Sequence, residues 1–243
     1  MENKIPKTIH YCWFGKNEKG ETNPKSELIE KCMRSWKLHL PDYKIVEWNE
    51  ENFDVNSHPY TKEAYHDKKW AFVSDYVRLQ ALYQHGGIYL DTDMYVLKSL
   101  DDLLRFDLVL GRESQQYISA GMIAAAPNNN YIADLIKEYD NIKTRETVPI
   151  IMTKVFGDNS QKYFHNNIKI FDPIYFYPFT SNNIKRFDYN NAPSESYAVH
   201  MWDYSWGNPL NKFLKRTGLH PSVKSLTEKI GIKNTIKKLM RME

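Results

Sequence analysis

The sequence predicts an α/β fold built on a parallel sheet, and three observations carry that expectation. A β-rich run at 7–14, a helical run at 25–40 and an alternating run at 43–48 follow one another as strand, helix and strand. A second long helical pattern at 70–85 ends in Gly86-Gly87 and feeds directly into the apolar run Ile88 to Leu90. The chain has 243 residues, 42% hydrophobic and 26% charged, which suffices for one well-buried domain.

Each element has its own signature. Lys7 to Phe14 follows Pro6, is rich in β-formers and stops at Gly15. The polar stretch 16–24 is a loop. Lys25 to Leu40 places apolar residues at 28, 29, 33, 36 and 40 and ends before Pro41. Tyr43 to Trp48 alternates as a strand. Trp70 to His85 carries apolar residues at 72, 73, 76, 77, 79, 82 and 83, and Gly86-Gly87 supplies the positive-φ stop. Met94 to Leu97, Asp107 to Gly111 and Ile118 to Ala126 read as strands, and Tyr131 to Ile142 reads as a helix. Beyond Val148 the pattern weakens. Ile168 to Phe179 is aromatic and broken by proline, so short strands and loops are expected there. Tyr197 to Trp206 is densely aromatic. The expected organisation is a catalytic domain over 1–209 and an appendage over 210–243.

Composition excludes several classes. Two cysteines, Cys12 and Cys32, cannot form a zinc or disulfide framework, and a reducing compartment is the simpler expectation. The opening MENKIPKTIHYCWFG has no apolar signal-peptide core, and no run reaches transmembrane length. The expected location is cytoplasmic, with peripheral attachment to the inner face of the cell membrane as an option. The formal charge of +3 is uneven. Residues 210–243 hold nine Lys or Arg against two acids, which leaves the rest mildly acidic. The body lacks a basic stripe, so nucleic acid is not expected as a partner. Seventeen Tyr and six Trp suit either a carbohydrate site or an aromatic core.

The chemistry concentrates at Asp91-Thr92-Asp93. Two carboxylates at i and i+2 behind a buried strand repel each other, and burial raises that cost. A divalent cation such as Mn²⁺ or Mg²⁺ resolves both problems and shares its shell with substrate phosphates. The end of a strand is also where α/β sheets bind ligands. Ser74-Asp75 and Arg78 lie on the preceding helix. Asp75 and Arg78 are three apart, which is either a surface ion pair or a polar pair aimed into the site.

The block AFVSDYVRLQALYQHGGIYLDTDMYVLKSLDDLL at 71–104 resembles the signature of the DXD-containing sugar transferases of glycosyltransferase family 32. That family includes the yeast initiating mannosyltransferase and bacterial capsule and lipopolysaccharide enzymes, with the clostridial glucosylating toxins as distant relatives. Ile5 to His10 with Trp13 resembles its first strand, and His200 to Trp206 resembles its closing metal and phosphate loop. The resemblance implies a GT-A fold, a Rossmann-like mixed sheet flanked by helices, here with a basic helical C-terminal tail. It implies a retaining transferase moving a hexose or N-acetylhexosamine from a nucleotide-sugar. By that resemblance Asp93 binds the metal directly, and Asp91 contacts ribose and sugar and reaches the metal through water. Asp75 and Arg78 hold sugar hydroxyls, Trp13 stacks on the base, His200 contacts metal or diphosphate, and Ser205 and Trp206 touch the diphosphate. Simpler readings make Trp13 core, His200 a satisfied histidine and Trp206 packing, with Tyr204 able to replace it.

Related sequences carry an Asn-Ala pair where this chain has Ser119-Ala120-Gly121-Met122. The departure leaves acceptor-side contacts undefined and offers no obvious carboxylate nucleophile, which favours front-face displacement. The Trp13 resemblance favours a UDP-sugar donor, with GDP-mannose as the alternative. The acceptor is expected to be a glycan, polyprenyl-linked, as in surface polysaccharide assembly. Val223 to Met242 mixes Leu226, Ile230, Ile232, Ile236 and Leu239 with basic residues, which suits either an anionic bilayer or a solvated helix. Two rival classes are a haloacid dehalogenase-type phosphohydrolase and a non-catalytic carbohydrate-binding protein. Tyr95 occupies the position where the former carries Thr or Val, and the latter leaves the clustered acids unexplained.

Overall fold

A computed structural model describes residues 3–16, 19–142, 148–158, 160–163 and 167–203. The boundary expected at 209 and the basic tail lie outside these residues. Strand β1 (Thr8–Cys12) leads through α1 (Glu27–His39) to β2 (Lys44–Trp48), and the two strands pair in parallel, as the strand–helix–strand pattern required. Helix α1 starts at Ser26, whose side chain accepts a hydrogen bond from the Ile29 N–H, and acids at 27 and 30 suit its positive end. Helix α2 (Pro59–His66) was not legible: it buries only Thr61 and Ala64, so its apolar period is too short to register. Helix α3 spans Trp70–His85, the limits expected.

Strands β3 (Gly87–Leu90), β4 (Met94–Val96), β5 (Leu108–Arg112) and β6 (Ile118–Ala125) follow. Helix α4 (Asn130–Asn141), helix α5 (Val148–Asp158), the short α6 (Ser160–Tyr163), β7 (Ile168–Phe171) and β8 (Ala198–His200) complete the set. The main sheet runs β2-β1-β3-β6-β5-β7, and β6 alone is antiparallel to its neighbours. The sheet is therefore mixed and not wholly parallel. Helix α5 buries Val148, Ile151, Met152 and Val155 against the α3 side of the sheet and was also missed, because that stretch looked irregular.

Two apolar layers sandwich the sheet. One gathers Val73, Val77, Leu79 and Leu82 of α3 with Tyr131, Ile132 and Leu135 of α4. The other gathers Trp36 and Leu40 of α1 with Ile9, Ile88, Leu90, Met94 and Val96. Strand β4 leaves the main sheet and pairs antiparallel with β8, placing Met94 opposite His200. Helix α1 fixes that departure: Trp36 donates its indole N–H to the Met94 carbonyl (2.7 Å), and Ser35 Oγ accepts from the Val96 N–H (2.9 Å).

The turn into β3 is held by a buried imidazole. Trp48 Nε1 donates to His10 Nδ1 (3.1 Å), so His10 Nε2 carries the proton and donates to the Gly86 carbonyl (2.9 Å). Gly87 has φ +105°, and an added Cβ would stand 2.6 Å from the Thr8 carbonyl, so only glycine fits. Burial pulls the His10 pKa from 6.5 down to about 4. Its pKa is lower in the folded chain than in the unfolded one, so acid favours unfolding. Stability falls as pH drops from about 6.5 towards 4, by about 3 kcal/mol from this residue. Urea unfolding at several pH values checks this: a His10→Gln chain loses that part of the acid dependence, whereas an unchanged slope assigns it to another group.

Candidate active site

Asp91 and Asp93 occupy the turn that follows β3, at the end of the sheet where the parallel strands terminate. The Asp91 N–H donates to the Gly121 carbonyl (2.8 Å), and the Met94 N–H closes back on the Asp91 carbonyl (2.9 Å). This turn projects both side chains from a rigid strand end. Asp91 Oδ1 accepts from Arg78 Nη1 (3.2 Å) and Tyr89 Oη (3.1 Å).

Asp93 meets the far end of the chain. Its Oδ1 stands 3.2 Å from His200 Nε2, and its Oδ2 accepts from the Asp203 N–H (2.9 Å). The Met201 N–H donates to the Asp93 carbonyl (2.9 Å). Trp202 makes this wrap possible with φ +55°, a left-handed conformation unusual for a bulky residue. Its indole N–H donates to the Phe179 carbonyl (2.9 Å), and its ring lies edge-on to His200 at 4.2 Å. One ligand atom each from Asp91, Asp93 and His200 falls within 4.8 Å of the others.

Electrostatics at this cluster balance burial against charge. Burial alone would raise the Asp93 carboxyl, but His200 and the backbone N–H of Asp203 outweigh it and lower its pKa. Burial alone would lower His200, but Asp93, then Asp91 and Glu113, outweigh it and raise its pKa. Two buried polar atoms beside the cluster, His200 Nδ1 and Tyr177 Oη, have no hydrogen-bond partner. Such atoms cost about 1–3 kcal/mol each when left unsatisfied. A Cβ on Gly121 would stand 2.8 Å from Tyr177 Oη and 3.2 Å from Asp91 Oδ2. The orphaned atoms and a mixed oxygen and nitrogen donor set fit a divalent cation, and Gly121 is required because a side chain there would collide with Tyr177.

Asp75 and Arg78 are buried, so their pair is no surface ion pair. Arg78 Nη2 donates to Asp75 Oδ1 (2.8 Å), Nη1 to the Ala120 carbonyl (2.8 Å) as well as to Asp91, and Nε to the Ser74 carbonyl (3.2 Å). Four of its five N–H groups are thus engaged within the protein. Burial pushes the Asp75 carboxyl up to about 7 against the pull of Arg78.

Trp13 lies just past β1, half-buried, at the same end of the sheet as Asp91. Its Nε1 donates to the Asn23 carbonyl (2.8 Å), and Lys25 Nζ stands 5.0 Å from its ring centre. Among the described residues, no hydrogen bond or ring contact joins it to the acid cluster. Ser205 and Trp206 lie outside the described residues. The structure adds Tyr89, Gly121, Tyr177 and Glu113, none of which was singled out as a site residue. Glu113 follows β5, and burial raises its carboxyl against the opposing effects of His200 and Ser119. Only Gly121 had a signal in the sequence, as part of the small-residue run at 119–121.

The Arg78 contacts carry a stability prediction. Arg78→Met leaves Asp75 uncompensated in a buried setting, which costs about 3–5 kcal/mol. Asp75→Asn in the same chain recovers part of that loss. Urea denaturation of the two variants checks both statements.

Comparison with known proteins places this geometry. The sequence matches the family described as the glycosyltransferase sugar-binding region containing a DXD motif over residues 26–110. It matches the alpha 1,4-glycosyltransferase conserved region over 128–217. Inositol phosphoceramide mannosyltransferase 3 of Schizosaccharomyces pombe is 31% identical over 141 residues, covering 55% of this chain and 36% of that protein. Lactosylceramide 4-alpha-galactosyltransferase of Mus musculus is 29% identical over 148 residues, covering 54% and 40%. The chain therefore spans less than half the length of these relatives. Among solved structures, the PaToxG glycosyltransferase superposes with a TM-score of 0.50 at 18% identity, covering 65% of this chain and 74% of its own. The fold is of the GT-A type, and over 26–110 and 128–217 the chain is similar to two glycosyltransferase families, the first described by the Asp-x-Asp motif that stands here at Asp91 to Asp93.

Proposed function

We propose that the chain moves a hexose or N-acetylhexosamine from a UDP-sugar to a glycan acceptor, with retention of configuration. The observation that carries this reading is the convergence of Asp91, Asp93 and His200 within 4.8 Å at the end of β3. Asp93 and His200 are the direct holders of Mn²⁺ or Mg²⁺. When bound, such an ion offsets the charge that develops on the diphosphate as the sugar–phosphate bond breaks. Asp91 has one oxygen committed to Arg78 and Tyr89 and keeps Oδ2 for ribose, sugar or a metal-bound water.

Arg78, with most of its donors engaged, acts by holding Asp91 and Asp75 in place, and Asp75 is the better partner for a sugar hydroxyl. Gly121, where a Cβ would stand 2.8 Å from Tyr177 Oη, lets that hydroxyl and Asp91 pack closely against β6. Trp13 offers a ring to the base, and Ser205 and Trp206 close over the diphosphate. Front-face displacement, with the leaving phosphate taking the acceptor proton, suits this arrangement.

The yeast relative's name describes a mannosyltransferase, which favours GDP-mannose as the second reading of the donor. Both relatives are named for ceramide-linked acceptors, which supports a lipid-carried acceptor, polyprenyl-linked in this proposal. A basic segment over 210–243, following a catalytic domain over 1–209, would then hold the protein at the inner face of the cell membrane.

The test is nucleotide release. With Mn²⁺ present, the chain releases UDP from a UDP-sugar, and thermal shift with Mn²⁺ ranks UDP- above GDP-sugars. Asp93→Ala and His200→Ala lower turnover at least about a hundredfold, the scale of one transition-state charge contact. An Asp93→Ala chain as active as the parent refutes the metal role, and phosphate release from simple phosphoesters instead points to a phosphohydrolase. Deleting 210–243 abolishes flotation with anionic vesicles; unchanged flotation rejects the membrane role.

A further inference from the structure

A cavity of about 420 Å³ opens beside the edge strand β7, away from the Asp91 cluster. It lies between residues 102–106, which lead into β5, and the rings of Phe171, Tyr175 and Tyr197. Its volume falls within the range of ordinary ligand sites. The rings form a continuous floor: Phe171 lies 4.7 Å from Tyr175 and 5.9 Å from Tyr197, and Tyr175 stacks on Tyr197 at 6.3 Å.

The rim is cationic. Arg105 stands 5.1 Å from the centre of Phe106 and Lys169 stands 5.3 Å from that of Phe171. Both are exposed, and neither forms an ion pair with an acidic side chain among the described residues. Asp102 is the one acid in the lining, which leaves the cavity net positive.

We propose that this cavity binds an anionic sugar, a pyranose bearing a carboxylate or phosphate. The aromatic floor suits the C–H face of the ring. The fork of Arg105 and the ammonium of Lys169 suit the anion, and Asp102 accepts a hydrogen bond from a sugar hydroxyl. Tyr197 directly precedes β8, whose last residue is His200, and residues three apart on an extended strand face opposite sides, so the cavity and the cluster are separate sites. Binding itself is independent of the transfer reaction.

The test is ¹H–¹⁵N NMR titration of the whole chain with methyl β-D-glucuronide, glucose 6-phosphate and neutral methyl β-D-glucoside. At least one of the two anions shifts Lys169 and Tyr197 resonances and binds at least about tenfold more tightly than the glucoside, the value of one charge-assisted contact. The tighter of the two tells whether a uronate or a phosphosugar is the natural occupant. Arg105→Ala and Lys169→Ala each remove that preference, with the unperturbed remainder of the spectrum reporting an intact fold. Equal binding of charged and neutral sugars, shifts confined elsewhere, or variants that bind as the parent does overturn the proposal. UDP shifting the same resonances makes the cavity a nucleotide site and also overturns it. UDP binding with Mn²⁺ at the Asp91 cluster, titrated separately, shows whether the transferase reading stands on its own.

Discussion

The guanidinium of Arg78 ties together three parts of the fold that would otherwise meet only through apolar packing. From α3 it reaches its own helix at Asp75 and Ser74, the strand-end carboxylate Asp91 and the carbonyl of Ala120 on the antiparallel β6. A buried cation is costly unless its donors are satisfied, and the contacts that satisfy this one bring helix, strand end and β6 together. The position of Asp91, and with it the acid cluster, follows from that requirement. Tyr89 adds to it, since the guanidinium also lies over its ring at 4.4 Å.

A second constraint acts from the other side of the sheet. Trp36 and Ser35 hold β4 out of the main sheet, where it can accept only β8 as partner. That pairing delivers His200 to Asp93. The two acids of one triplet are thus governed by different layers: Asp91 by α3 and β6, Asp93 by α1 and β8. Their separate hydrogen-bond partners explain how like charges two residues apart coexist, one matched by a guanidinium and the other by an imidazole and a backbone N–H.

Elements with a strong apolar period were legible in the sequence. Helix α3 and its Gly-Gly stop read directly, because one wide apolar face and a positive-φ requirement both leave a mark on residue type. Asp91 and Asp93, with Asp75, Arg78 and His200, were singled out through family resemblance, and the structure brings these five residues together. The mixed sheet was not legible from periodicity, since a strand buried on both faces reads the same in either direction. Helices α2 and α5 were missed for want of amphipathic length. Tyr177 was invisible for another reason: its Oη packs closely over Gly121 of β6, where a Cβ would stand 2.8 Å from it, a contact between residues far apart in the chain. Burial, not spacing, decided between the two meanings of the Asp75 and Arg78 pair.

The β4 and β8 ribbon has a consequence for assembly. Asp91 and Asp93 emerge from the ribosome early, but His200 is made about a hundred residues later, and the antiparallel pairing of Met94 with His200 brings them together. Non-local pairings of this kind form late, because the loop between the partners must be ordered first. Until β8 docks, the carboxylates lie at a strand end without their imidazole. Under the proposed function, cation affinity would belong to the assembled β4 and β8 ribbon and not to the Asp-x-Asp segment alone, and it would serve as a clock for that docking step.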